Sequence, residues 1–177
     1  MGKRSSFERA PRDFYPTPAE AVAPLLAHLR PGTVFAEPCA GNGALVDHLK
    51  AAGHVCAWAS DIEPQRDDVH ENDATTCGIG AAECFITNSP WRRDILHTII
   101  VNLSDKAPTW LLLDADWMHT RQAVPYLPRL RKVVSVGRVK WIPGSPHTGK
   151  DNCAWHLFDT PNVSPATFYG SCLLYTS

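Results

Sequence analysis

Phe35-Ala36-Glu37-Pro38-Cys39-Ala40-Gly41-Asn42-Gly43 constrains the fold more than any other stretch of this sequence. Apolar residues suited to a short strand lead through two closely spaced glycines into a helical pattern from about Ala44 to Ala52. Gly41 and Gly43 let the backbone turn sharply and bring a ligand against main-chain N–H groups, where a Cβ would obstruct it. A second strand, Val55 to Ser60, ends at Asp61, twenty residues beyond Gly41. An acid at that place is set to hold ribose hydroxyls at the switch point of a doubly wound sheet. A nicotinamide-binding turn usually carries a third glycine in the helix, but position 46 is Val46. A ligand with a ribose and a cationic or zwitterionic end fits better than one with two phosphates.

The rest of the chain extends the same alternation. Pro18 to Leu29 reads as a helix with Thr17 as N-cap and Pro18 at its first position, ended by Pro31-Gly32. Glu83 to Thr87 and Thr109 to Leu113 read as strands, and Arg92 to Leu103 as an amphipathic helix burying Ile95, Ile99 and either Leu96 or Leu103. Gln122 to Leu130 reads as a helix interrupted by Pro125 and Pro128. Val133 to Ile142 and Cys153 to Phe158 form an antiparallel strand pair across a long loop. The expected fold is α/β, a Rossmann-like three-layer sandwich with a mostly parallel sheet and that C-terminal antiparallel pair. Residues 1–159 are expected to form one domain, with 160–177 as an uncharged tail.

Phe85-Ile86-Thr87-Asn88-Ser89-Pro90-Trp91 is the second constellation. An apolar strand delivers Asn88 to a turn stiffened by Pro90, followed by an aromatic ring. This combination suits a flat amine. A conjugated exocyclic nitrogen is a poor nucleophile because its lone pair is delocalised into the ring. The amide oxygen of Asn88 and the backbone carbonyl of Ser89 can accept its two N–H bonds and draw it toward tetrahedral geometry, while Trp91 stacks on the ring.

In these residues the chain resembles the class I S-adenosylmethionine-dependent methyltransferases. Glu37-Pro38-Cys39-Ala40-Gly41-Asn42-Gly43 looks like their first motif, whose loop holds the methionine portion of the cofactor. Asp61, with Ile62 beside it, matches the ribose-binding acid, and Asn72-Asp73-Ala74 is similar to the short acidic motif that contacts the adenine. Asp13-Phe14-Tyr15-Pro16-Thr17-Pro18 resembles the N-terminal motif of the amino-methyltransferases, which implies cofactor contacts from Tyr15, Thr17 and Pro18. Asn88-Ser89-Pro90-Trp91 resembles the Asp/Asn-Pro-Pro-aromatic motif of adenine-N6 methyltransferases. Ser89 stands where the first Pro is expected; the carbonyl is kept and a locked φ is lost. Over roughly Asp13 to Phe158 the likeness is to small, phage-type DNA adenine methyltransferases. It implies S-adenosylmethionine as cofactor and DNA as partner, with RNA or a protein amide as alternative acceptors and a non-catalytic cofactor-binding module as a further reading.

Charge bears on the acceptor. The formal net charge of −1 conceals a split. Residues 1–86 carry seven basic and twelve acidic side chains, and residues 87–150 ten basic and four acidic. Arg92, Arg93 and Lys150 are therefore expected on the substrate side as phosphate partners, and Arg129, Arg131 and Lys132 cluster in the same half of the sequence, where a solvated face is the ordinary explanation for any one of them. Trp141 and Trp155 are expected in the core. The six cysteines include no Cys-x-x-Cys pair, so no metal is expected and buried reduced thiols in a cytoplasmic protein are the simplest reading. Nothing in the sequence reads as a signal peptide or a membrane span, and oligomeric state has no sequence signature here.

Overall fold

The structure is a computed structural model that describes residues 15–142 and 148–170. Eight strands among these residues form one sheet: β1 (Val34–Glu37), β2 (Val55–Asp61), β3 (His70–Glu71), β4 (Cys84–Thr87), β5 (Thr109–Asp114), β6 (Leu130–Arg138), β7 (Asn152–Phe158) and β8 (Thr167–Tyr169). Their order is β3-β2-β1-β4-β5-β7-β6-β8. All neighbouring pairs are parallel except those that β7 makes with β5 and β6. Three helices accompany the sheet: α1 (Ala19–Leu26), α2 (Ala44–Ala51) and α3 (Arg93–Ser104).

Successive residues of the central strands face opposite layers, as the two-residue period of a strand requires. Phe35, Ile86, Trp110, Leu112 and Trp155 pack with Val22 and Leu25 of α1 and Leu45 and Leu49 of α2. Phe85, Leu111, Leu113 and Phe158 pack with Leu96, Ile99, Ile100 and Leu103 of α3. A sheet covered on both faces needs near-continuous apolar strands, and β4 and β5 have them. The fold is the expected three-layer sandwich.

Several local expectations are corrected. Pro18 is the N-cap of α1 and no side chain caps that helix, so Thr17 is free of capping duty. The helix also stops at Leu26, where it tightens into i→i+3 bonds from His28 to Leu25 and from Leu29 to Leu26. On α3, Leu96 and Leu103 are both buried, while Ile95 is only half-buried. The expected helix at Gln122 to Leu130 is replaced by a 3₁₀ segment, Val124–Arg129, and a second one, Ala115–His119, follows β5. Pro125 and Pro128 lack the N–H donors an α-helix needs there. β6 starts three residues early, because Leu130 pairs with Phe158, and ends at Arg138 beyond an irregularity at Gly137, whose φ is 92°. Within 160–177, Thr167–Tyr169 adds an edge strand parallel to β6.

Candidate functional site

The connection order reverses between β1 and β4. From β1 the chain moves outward to β2 and β3, then returns to β4 on the other side. Such a reversal opens a crevice at the carboxyl ends of the strands. Glu37 ends β1, Asp61 ends β2, Asn88 follows β4 and Asp114 ends β5, so all four stand along this one edge.

The glycine loop fills the first half of the crevice. Gly41 and Gly43 have φ of 52° and 76°, a region disfavoured for side chains with a Cβ. The Asp61 carboxylate spans the loop: Oδ2 accepts from the Gly41 amide at 2.8 Å and Oδ1 from the Glu63 amide at 2.9 Å. Val46 is buried in the core, so the place of a third glycine is used for packing. Residues 62–68 fold back over the glycines. Gln65 donates its amide to the Gly41 carbonyl at 3.1 Å. Arg66 lies against Gly43 while bonding Asp47 at 2.7 Å and also Asp68, so a side chain at 43 would collide with its guanidinium.

Glu37 is the chemically unusual residue of this half. It is 1% exposed and, among the described residues, its Oε2 has no hydrogen-bond partner. Burial, followed by the neighbouring Asp61 charge, holds its carboxyl well above the usual range, opposed by a hydrogen bond from the Val46 amide. Burial also pushes the Cys39 thiol far up. Pro38 and Ala40 are buried around them. On the open side Ile62 is 57% exposed beside Asp61. Asn72 donates its amide to the Asp61 carbonyl at 3.0 Å, which brings the 72–74 segment to the same mouth. There Asp73 is exposed and its Oδ1 caps a turn, accepting from the amide and hydroxyl of Thr75 at 2.8 and 2.7 Å.

The second half is the turn after β4. Asn88 is half-buried, and its Nδ2 donates to Thr17 Oγ1 at 3.2 Å. Ser89 is buried, its hydroxyl without a partner among the described residues, and Pro90 is half-buried. The indole N–H of Trp91 donates to the Leu112 carbonyl at 3.1 Å, anchoring the ring to β5. Trp141 was expected in the core. It is instead half-buried at this edge, in edge-to-face contact with Trp91 at 6.2 Å and tilted against Tyr15 at 6.4 Å. Trp155 is fully buried, as expected, and donates its indole N–H to the Ala21 carbonyl at 2.8 Å.

The basic residues divide by strand end. Arg92 and Arg93 are exposed at the start of α3, where Arg92 bonds Asp94 at 2.7 Å and Arg93 bonds Gln122 at 2.6 Å. Lys150, also exposed, lies with Lys140 in the β6–β7 connection, next to Arg138 at the end of β6. All of these belong to the crevice edge. Arg129, Arg131 and Lys132 do not. Because β6 runs parallel to β5, its first residues lie at the opposite edge of the sheet. Arg129, its side chain 13% exposed, bonds Ser104 at 2.9 Å and Asp105 at 2.6 Å, and Arg131 donates to the carbonyl of Pro128 at 2.8 Å. This cluster therefore does not add to the crevice edge: charge along a sequence does not say which end of a strand it occupies.

Asp13 and Phe14 of the N-terminal motif, and the 143–147 part of the loop, lie outside the described residues. Among the described residues no group of three or more His, Cys, Asp or Glu is arranged to hold a metal, and no helix is long and apolar enough to cross a membrane. The five described cysteines carry free thiols.

No family model and no curated protein matches this chain. Solved structures do match in fold. One is a protein of Listeria monocytogenes assigned as a class I S-adenosylmethionine-dependent methyltransferase, at 8% identity and TM-score 0.54 over 85% of this chain. A second is a dimethyladenosine transferase of Plasmodium falciparum, at 14% identity and TM-score 0.56 over 84%. A third is a type I restriction-modification methyltransferase subunit of Streptococcus thermophilus, at 10% identity and TM-score 0.58 over 88%. The matches span 63%, 63% and 47% of those chains respectively. At such identities the likeness establishes the fold: the chain has the class I methyltransferase architecture.

Proposed function

We propose that this protein transfers a methyl group from S-adenosylmethionine to the exocyclic N6 amine of adenine in DNA. One observation carries the reading: the Glu37-to-Gly43 loop and the Asn88-Ser89-Pro90-Trp91 turn extend from adjacent parallel strands, β1 and β4, into one crevice. Donor and acceptor sites must adjoin for direct transfer between two bound molecules.

The residues of the first half fit the cofactor. Glu37 offers a buried carboxyl whose Oε2, among the described residues, has no partner, and an ammonium group of a ligand would satisfy that oxygen and stabilise the carboxylate form. The glycine loop, Asp61, Ile62 and Asp73, with Tyr15 and Pro18, would supply the remaining surface for its amino acid, ribose and adenine parts, while the Thr17 hydroxyl is engaged by Asn88. When bound, S-adenosylmethionine supplies an electrophilic methyl group on a sulfonium. Asn88 Oδ1 and the Ser89 carbonyl then accept the two N–H bonds of the acceptor amine, which localises its lone pair. Trp91, fixed through its own N–H, presents a ring for the base to stack on. No general base is needed in the transfer itself; the proton leaves the product ammonium afterwards. An adenine inside a duplex cannot reach such a crevice, so the base must be flipped or single-stranded.

The test is incubation with labelled cofactor and DNA, followed by nucleoside analysis. Label in N6-methyladenine is expected. Label only in RNA or protein would replace the acceptor, and no label with cofactor bound in calorimetry would leave a binding module. Asn88→Ala should reduce transfer by roughly 100-fold or more with little change in cofactor affinity. Equal activity in that variant would remove the mechanism.

A further inference from the structure

Resting on the reading above, we infer that Thr17 is a positioning residue for Asn88: its hydroxyl oxygen holds the Asn88 amide with nitrogen inward, so that Oδ1 is the atom offered to the acceptor amine. Three observations converge on it. Thr17 is 5% exposed and does no helix capping, although its sequence position before a helix suits that task. Its Oγ1 accepts from Asn88 Nδ2 at 3.2 Å across 71 residues of sequence. The segment that carries it is itself tied to the sheet and to the β6–β7 connection. Trp155 bonds Ala21 at 2.8 Å, and Glu20 Oε1 accepts from the Lys140 amide at 2.7 Å.

The chemistry gives this contact a consequence. The two ends of a carboxamide have almost the same shape and opposite hydrogen-bonding character. An exocyclic amine brings two N–H donors, so an amide turned the wrong way sets donor against donor and leaves the lone pair delocalised. In a turn where Ser89 stands in place of a φ-locked proline, side-chain orientation has one fewer constraint. Thr17 supplies one: a hydroxyl can pair with either end of a carboxamide, and in this structure its oxygen is the acceptor and Asn88 Nδ2 the donor, which leaves Oδ1 for the acceptor amine.

A carboxylate at position 88 has no wrong way round, and this makes the inference separable from a merely structural role. Thr17→Val, which keeps shape and removes the acceptor, should lower kcat about 10- to 100-fold, with cofactor Kd and the KM for DNA within about twofold of wild type. Thr17→Ser should restore most of the loss. In an Asn88→Asp background, Thr17→Val should change the rate less than about threefold, because both carboxylate oxygens are acceptors. Weakened cofactor binding with kcat intact would overturn the inference and make Thr17 a cofactor ligand. An equal loss in the Asn88→Asp background would reduce Thr17 to a packing residue.

The side-chain amide of Asn88 in ¹⁵N-labelled protein gives a readout independent of turnover. Its two protons should be distinct and slowly exchanging in wild type and Thr17→Ser, and fast-exchanging in Thr17→Val. Identical resonances in wild type and Thr17→Val would overturn the inference whatever the activity. A wild-type protein that transfers no methyl group refutes the proposed function instead, and the resonance then decides the role of Thr17 alone.

Discussion

His156 makes the stability of this fold depend on pH in a calculable way. It lies on β7 with no exposed surface, ring-stacked on Phe158 and edge-to-face with Trp117. Its Nδ1 meets the Ala154 carbonyl at 3.1 Å, and among the described residues its Nε2 has no partner. Burial pushes its pKa down to about 4 from an ordinary 6.5. The unfolded chain therefore binds a proton over the window between these values while the folded chain does not, and folding stability falls as pH falls through it. At 1.36 kcal/mol per pKa unit the loss reaches about 2 kcal/mol by pH 5 and about 3 kcal/mol below pH 4. The assay is urea unfolding at a series of pH values from 7.5 to 4.5, in wild type and in His156→Phe. The variant is expected to lose this part of the acid destabilisation, whatever its stability at neutral pH, because all other titrating groups remain. Identical pH slopes in the two proteins would refute the assignment of a neutral buried imidazole.

Glu37 acts with the opposite sign. Its folded pKa is raised, so its contribution to stability is present below the unfolded value and is lost as pH rises through the folded one. Glu37→Gln should thus raise the melting temperature of the ligand-free protein at pH 8 and weaken S-adenosylmethionine binding in calorimetry; a variant that binds as tightly as wild type would dissociate this carboxyl from the cofactor. For DNA binding, Lys140→Ala and Lys150→Ala should each reduce the slope of log K against log salt by about 1, and Lys132→Ala should leave it unchanged. A Lys132 effect as large as theirs, measured by titration from 50 to 200 mM salt, would place the nucleic acid on the wrong edge of the sheet.

Sequence patterns located the central elements well because their physics is local. β1, α2, β2, β4 and β5 fall within a residue or so of expectation. The β1, β4 and β5 strands are buried runs, and α2 is amphipathic and bounded by Gly43 and Gly53. Elements without an apolar signature were missed. Both residues of β3 and all three of β8 are exposed, and only pairing with β2 and β6 makes them strands. At Gln122 to Leu130 the apolar spacing suggested a helix, but the two prolines decided the backbone.

The site divides along the same line. The glycine loop with Asp61 and the Asn-Ser-Pro-Trp turn are contiguous or lie at a fixed strand-to-strand interval, so sequence exposes them. Thr17 on Asn88, Arg66 on Gly43 and Trp141 on Trp91 are pairs made by folding, and no local pattern announces them. Charge shows the cost of ignoring this. The +6 balance of residues 87–150 suggested a strongly basic substrate face. Folding sends Arg129, Arg131 and Lys132 to the far edge and sets Asp114, Asp116 and Asp151 among Arg93, Arg138, Lys140 and Lys150 at the crevice. Burial, with Asp116 and Asp151 nearby, raises the Asp114 carboxyl despite Arg93, so the acids offset part of the positive field. A face of this kind contacts few phosphates. The salt slope for DNA should accordingly be shallow, about −2 to −3, far from that of a protein holding six or more phosphates. Under the proposed function, affinity for DNA would then come mainly from the base itself, held by Trp91 and read by Asn88.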